Sequence, residues 1–118
     1  MTIFEKIVAG EIPCNKVLET DKFLAFHDIN PKAPIHILAI PKKCYESFQV
    51  MDAELMGEMT KFIQEVAKTM GLDKTGYRLI SNWGENGGQE VPHLHFHILG
   101  GTKLAWGHFR DPNTKDNF

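Results

Sequence analysis

Cysteine is scarce. The chain has two, Cys14 and Cys44, and they form no CxxC pair. Long apolar runs are missing as well: the longest, "APIHILAIP", is too short to span a bilayer. The N-terminus "MTIFEKIVAGEIP" has no long apolar core and carries charges early, so it does not read as a signal peptide. Together these absences predict a cytoplasmic protein with reduced thiols rather than a Cys14–Cys44 disulfide, and one that does not engage a membrane. An excess of charge of one sign is also lacking. Thirteen Lys and Arg stand against fifteen Asp and Glu, for a net charge of −2. That leaves no electrostatic footprint for polymeric DNA or RNA. A single nucleotide or another small anion, held by backbone N–H groups, remains open. There is no repeat, low-complexity block or linker, and 118 residues make one domain.

The patterns that are present predict an α+β fold. "TIFE" has the form of a capping box, with Thr2 as N-cap and Glu5 reaching back. Ile3, Phe4, Ile7 and Val8 then form a helical stripe that Gly10 ends, which predicts a short N-terminal helix. "KVLET", "KFLAFHDI", "IHILAIP", "YRLISN" and "HLHFHILG" read as five strands, the second with imperfect alternation. "NPKAP" and "WGENGGQEVP" read as loops. From Asp52, a good N-cap, to Gly71, a good terminator, Leu55, Met56, Met59, Phe62, Ile63, Val66, Ala67 and Met70 keep a 3.6-residue period. This is the one long helix, with its methionines as core filler. Strands rarely alternate with helices, so the sheet is mainly antiparallel and one face packs on the long helix.

Half of the six histidines fall within "HLHFH". On a strand, His93, His95 and His97 share one face, and Leu94, Phe96 and Ile98 share the core face. That predicts a histidine face open to solvent or ligand. H-x-H on a strand is a common zinc pair, and His36, Asp28 or Cys44 are the residues that would complete a site. The first and third histidine Cα atoms, however, lie ~13 Å apart, which hinders convergence on one ion whose nitrogens sit at about 2.0–2.1 Å. The third reading is nucleophilic. Neutral imidazole attacks phosphorus and leaves again readily. The preceding "NWGENGGQ" suits an anion, since glycines let backbone N–H groups approach closely. Asp28 has the chemistry to accept both hydroxyls of a vicinal diol, with a strand-end residue before the "NP" turn as the alternative. Phe4 and Phe26 offer flat apolar surface for a purine, or ordinary core.

"HLHFHIL" resembles the H-φ-H-φ-H-φ-φ signature (φ apolar) of the histidine-triad (HIT) superfamily. "IFEKIVAGEIP", "FLAFHDINPKAPIHILAIPKK", "GYRLISN", "GGQEVPHLHFHILGG" and Trp106 are similar to its Hint branch in order, and "ILGG" favours Hint over the dinucleoside-polyphosphate (Fhit) branch. The resemblance implies a HIT domain over 1–106 whose five-stranded sheet extends across a homodimer. It implies hydrolysis of a purine nucleoside 5′-phosphoramidate, or of an aminoacyl- or lysyl-adenylate, through a covalent nucleotidyl-histidine, with no required cofactor. By position it makes His95 the nucleophile, His97 the phosphate contact and proton-transfer partner, His93 the orienting residue and His36 a supporting histidine. Asp28 falls at the ribose. Ile29, Asn82, Gly88, Gln89, Glu90 and Val91 fall among the other nucleotide contacts, and Ile3, Phe4, Ile7, Ile12 and Phe26 at the base pocket.

The chain departs from that pattern at Glu90, where some members have serine, at Cys44, where some have histidine, and at Pro92, where an aromatic residue is usual. The polar stretch 107–118 runs past the family's ordinary end and reads as a partly disordered tail. In a dimer it would reach the partner's site. Two other functional classes stay open: a nucleotide-binding interaction or regulatory protein, and a dinucleoside polyphosphate hydrolase.

Overall fold

The capping box forms as its spacing predicts. Thr2 Oγ1 accepts from the Glu5 N–H at 3.1 Å, and the Glu5 carboxylate accepts from the Thr2 N–H at 2.9 Å. Two backbone donors at the start of α1, Ile3–Val8, are thereby satisfied. The structure, a computed structural model, describes residues 1–106. The expected tail, 107–118, lies outside the described residues, and so does His108.

Five strands follow: β1 Lys16–Glu19, β2 Phe23–His27, β3 Ile35–Pro41, β4 Arg78–Ile80 and β5 Phe96–Gly100. They form one antiparallel sheet in the order β1-β2-β3-β5-β4. The chain is α+β. Across one face runs α2, Ala53–Thr69, started by the Asp52 carboxylate accepting from the Leu55 N–H at 2.9 Å. Past its C-terminus Gly71 takes φ +74°, the left-handed conformation that glycine adopts without strain. Met59, Phe62, Ile63, Val66 and Ala67 of α2 pack on Phe23, Ala25, Ile37, Ala39, Leu94, Phe96 and Ile98. The opposite face carries Leu24, Phe26, Leu38 and Ile40 beneath Phe4 of α1. Strand β2 is therefore covered on both sides, which explains its imperfect alternation.

The structure corrects some boundaries. The fifth strand begins at Phe96 rather than His93, so two of the three triad histidines precede the ladder, His93 in a bend and His95 in the irregular residues after it. The fourth is confined to Arg78–Ile80. A 3₁₀ turn at Phe48–Val50 and a short helix α3, Leu72–Thr75, were not anticipated. Elements of one turn are too short to show a period. Both cysteines are free. Among the described residues no helix is long and apolar enough to cross a membrane.

Candidate active site

The alternation read from the sequence persists through the bend. Leu94, Phe96 and Ile98 enter the α2 core, while the histidines lie on the α1 side. That side is less open than the alternation suggests. His93 is fully buried and His95 is 7% exposed. The reason is α1: Phe4 stands edge-on to both rings, with centroids 5.8 Å from His93 and 5.0 Å from His95.

Hydrogen bonds fix each tautomer. A carbonyl oxygen has no proton to give, so a ring nitrogen facing one must donate. His95 Nδ1 lies 2.7 Å from the His93 carbonyl and therefore carries the proton, leaving Nε2 with a free lone pair. His93 Nε2 donates to the Pro41 carbonyl at 2.7 Å. The Lys32 N–H donates to His36 Nδ1 at 3.0 Å, so His36 carries its proton on Nε2. That nitrogen is 2.9 Å from His97 Nδ1, which must accept, and the proton of neutral His97 sits on Nε2. The register explains this contact. Leu38 faces His97 and His36 faces Leu99, so the two histidines are diagonal neighbours on one face.

Burial pulls the His36, His93 and His95 imidazoles below their ordinary value. His97 is pulled down to about 4, by burial first and then by the neighbouring His95 and His36 rings. All four are neutral at pH 7, so the 3.4 Å approach of His36 Nε2 to Asp28 Oδ2 is a contact of a neutral ring.

The histidines open onto a cavity of about 400 Å³. Phe4, Asp28, His36, Asn82, Gly88, Glu90, Val91, His95 and His97 line it, drawn from α1, the 28–32 turn, β3, the 82–91 loop, the 93–95 segment and β5. The remaining expected residues stand elsewhere. Ile29 is 92% exposed on its turn, and Ile3 points outward from α1 at 50%. Phe26 is core, with Ile7 packed against the same cluster, and Ile12 is half-buried away from the cavity. Gln89 is spent on the loop itself. Its amide donates to the carbonyls of Glu46 and Val91 and accepts from the Gly84 N–H. His93 lies behind His95 rather than on the wall.

A model of the HIT domain matches residues 9–104. A HIT-like protein of Helicobacter pylori is 55% identical over 103 residues, which is 87% of this chain and 99% of that one. The chain belongs to the HIT family. A histidine triad protein from Clostridium difficile is 50% identical, with a TM-score of 0.82 over 87% of this chain and 92% of that one. A HIT family hydrolase from Legionella pneumophila is 41% identical, with a TM-score of 0.85 over 91% and 98%.

In this HIT domain the glycine loop works differently from the sequence expectation. The N–H groups of Gly84, Gly88 and Gln89 are used within the loop, donating to Gln89 Oε1, the Glu85 carbonyl and the Gly84 carbonyl. Glycine serves conformation and closeness: Gly84 and Gly88 take φ +74° and +76°, as expected of the loop, and a Cβ on Gly87 would sit 2.2 Å from the Trp83 carbonyl oxygen. Sequence reasoning missed Asn30, Lys32, Leu38, Ile80 and Leu99, which also line the cavity. Lys32 is the one basic side chain among them. Its only signal was a cation inside the "NPKAP" loop, four residues before His36.

Among the described residues, two groups bring three metal-capable ligand atoms within 4.8 Å of one another: Asp28, His36 and His97, and Glu5, Cys44 and His93. Each takes one triad histidine, as the span of the triad requires. In the first, an ion would displace the proton between His36 and His97. In the second, it would displace the Thr2 hydroxyl, 3.1 Å from His93 Nδ1.

Proposed function

We propose that this HIT domain hydrolyses purine nucleoside 5′-phosphoramidates, or related aminoacyl- or lysyl-adenylates, through a nucleotidyl group on His95. The bond from His95 Nδ1–H to the His93 carbonyl carries this reading. It leaves one lone pair on a neutral imidazole, at Nε2, beside the cavity. The His97 ring stands next to it, with centroids 5.1 Å apart. An anionic phosphate beside His97 favours its charged form. As imidazolium its Nδ1 also donates, so the His36 Nε2–H turns from His97 Nδ1 to the Asp28 carboxylate, whose Oδ2 lies 3.4 Å away. His95 Nε2 attacks phosphorus, the P–N bond breaks, and His97 Nε2–H protonates the departing amine. Water then attacks the nucleotidyl-imidazolium and gives its proton back to His97. His95 leaves as neutral imidazole with the nucleoside monophosphate released.

Asp28 supports ribose recognition. Oδ1 is held by the Asn30 N–H at 2.8 Å, and the carboxylate lines the cavity. Phe4 supplies an apolar surface for the base. Lys32 offsets the two carboxylates, Asp28 and Glu90, that a nucleotide anion meets. The Legionella relative's description as a hydrolase favours turnover over binding alone. The homodimer belongs to the same reading: β4 is a sheet edge with Leu79 44% exposed, beside exposed Trp83.

Incubation with adenosine 5′-phosphoramidate should release AMP. Acid-quenched enzyme should carry a nucleotidyl group on the peptide containing His95. An adduct on His93 or His97 would overturn the assignment. AMP binding without turnover of any phosphoramidate or adenylate would favour a nucleotide-binding interaction protein.

A further inference from the structure

We infer that Thr2 is a positioning residue for the His95 nucleophile, acting through the fully buried ring of His93. This rests on the proposed role of His95.

The tautomer of His93 decides the direction of its contacts. Nε2 donates to Pro41, so Nδ1 of the neutral ring accepts. The group facing it is Thr2 Oγ1, at 3.1 Å. That oxygen already accepts from the Glu5 N–H as the helix cap, so its own proton is free to donate to His93. One hydroxyl therefore starts α1 and closes the last polar site of a buried imidazole. Both ring nitrogens of His93 are then satisfied, as a fully buried ring requires.

The backbone shows why this matters. The ladder begins at Phe96, so the 93–95 segment has no strand partner to set its peptide planes. Isolated bonds hold it: His93 N–H to Val91, Leu94 N–H to Tyr45, the Ser81 hydroxyl to the His95 carbonyl, and the two ends of the His93 ring. The His93 carbonyl is the acceptor that keeps the proton of His95 on Nδ1. Without the Thr2 hydroxyl, the His93 ring loses one of its two anchors, and the carbonyl loses part of its aim. Neutral His95 then samples the other tautomer, whose Nε2 carries a proton and has no lone pair for attack. Thr2 is absent from the cavity wall, so substrate binding should be spared.

Three variants separate this role from capping. Thr2→Val keeps the shape and removes the hydroxyl, Thr2→Ser restores it, and Glu5→Ala weakens the capping box while leaving the Thr2–His93 bond. Thr2→Val should lower kcat about tenfold with KM within about twofold. Thr2→Ser should recover kcat. Glu5→Ala should melt earlier with kcat within about twofold of wild type. Long-range ¹H–¹⁵N spectra should show His95 as a single Nδ1–H tautomer in wild type, Thr2→Ser and Glu5→Ala, and as a mixture in Thr2→Val. Equal loss of kcat in Glu5→Ala and Thr2→Val would reduce Thr2 to a cap and overturn the inference, and so would an unchanged His95 tautomer in Thr2→Val. If wild type turns over no substrate, the proposed function fails by itself, and the spectra still decide whether Thr2 sets the tautomer.

Discussion

The two faces of the sheet are built from the same strands and differ in kind. On the α2 face the buried cluster is thirteen apolar residues with no titratable side chain. On the α1 face five buried apolar residues share the space with buried His36, His93 and His95. Neighbours in sequence fall to opposite sides: Ile37 to the first and His36 to the second, Ile98 to the first and His97 to the second. Apolar packing is non-directional and tolerates small shifts of one side chain against another. The α1 face instead depends on directed bonds, in which each nitrogen must be a donor or an acceptor. The difference teaches that stability and chemistry are separable here by face.

The largest effect that would sharpen this division is on turnover. His95→Asn removes the nucleophilic nitrogen while keeping similar size and hydrogen-bonding capacity. It should fold, bind AMP within about tenfold of wild type (~1.4 kcal/mol), and lose nearly all hydrolysis. Calorimetry and AMP release measure the two halves. Substantial remaining turnover would move the chemistry off His95.

The converse change belongs to the α2 face. Ile63 is 3% exposed within the helix core. Ile63→Ala should cost about 2–5 kcal/mol of stability through lost burial and a residual cavity, with kcat per folded molecule unchanged. A matching fall in kcat would show that the two faces are coupled. A smaller effect on ligand affinity is expected at Asp28. Asp28→Ala should weaken ribonucleotide binding by about 1–3 kcal/mol and 2′,3′-dideoxy analogues much less. Comparing two ligands on one variant cancels whatever the lost Asn30 turn contact does to the fold. Equal losses for both would assign Asp28 to the turn alone.

The α2 face was the more legible of the two in the sequence. A 3.6-residue stripe bounded by Asp52 and Gly71, and the Leu94, Phe96, Ile98 alternation, place the core directly, because burial against a regular element imposes its period on the chain. The α1 face was legible in its histidines but not in their exposure. Nothing periodic in "TIFEKIV" says that Phe4 closes over His93 and His95, since that is a long-range packing choice. Ile29 and Gln89 show the same limit. A resemblance aligns them with a site, but turn geometry leaves Ile29 in solvent, and loop hydrogen bonds consume Gln89. Lys32 escaped because loop residues reach a cavity through chain path rather than through any repeating pattern.

The smallest expected effect tests whether pH acts on one face only. The buried α2 cluster holds no titratable side chain, and the imidazoles whose protonation folding shifts all lie on the histidine face. His97 sits at about 4 in the folded protein, against 6.5 for an ordinary histidine. The unfolded chain therefore binds more protons between these values, and stability falls as pH drops from 6.5 towards 4 and is flat above. His36, His93 and His95 shift in the same direction, and the contact of His36 with Asp28 opposes part of the effect. From pH 7 to pH 6 only the start of that slope is sampled, so His97 should contribute under about 1 kcal/mol, a few degrees of melting temperature. Melting curves across pH 5–8 would measure it, with His97→Gln expected to flatten the acid side relative to wild type. An unchanged slope in His97→Gln would place the proton uptake on the other histidines. A slope of the opposite sign would show that the ring is held charged in the fold, and the tautomer chain from Lys32 through His36 would then be wrong.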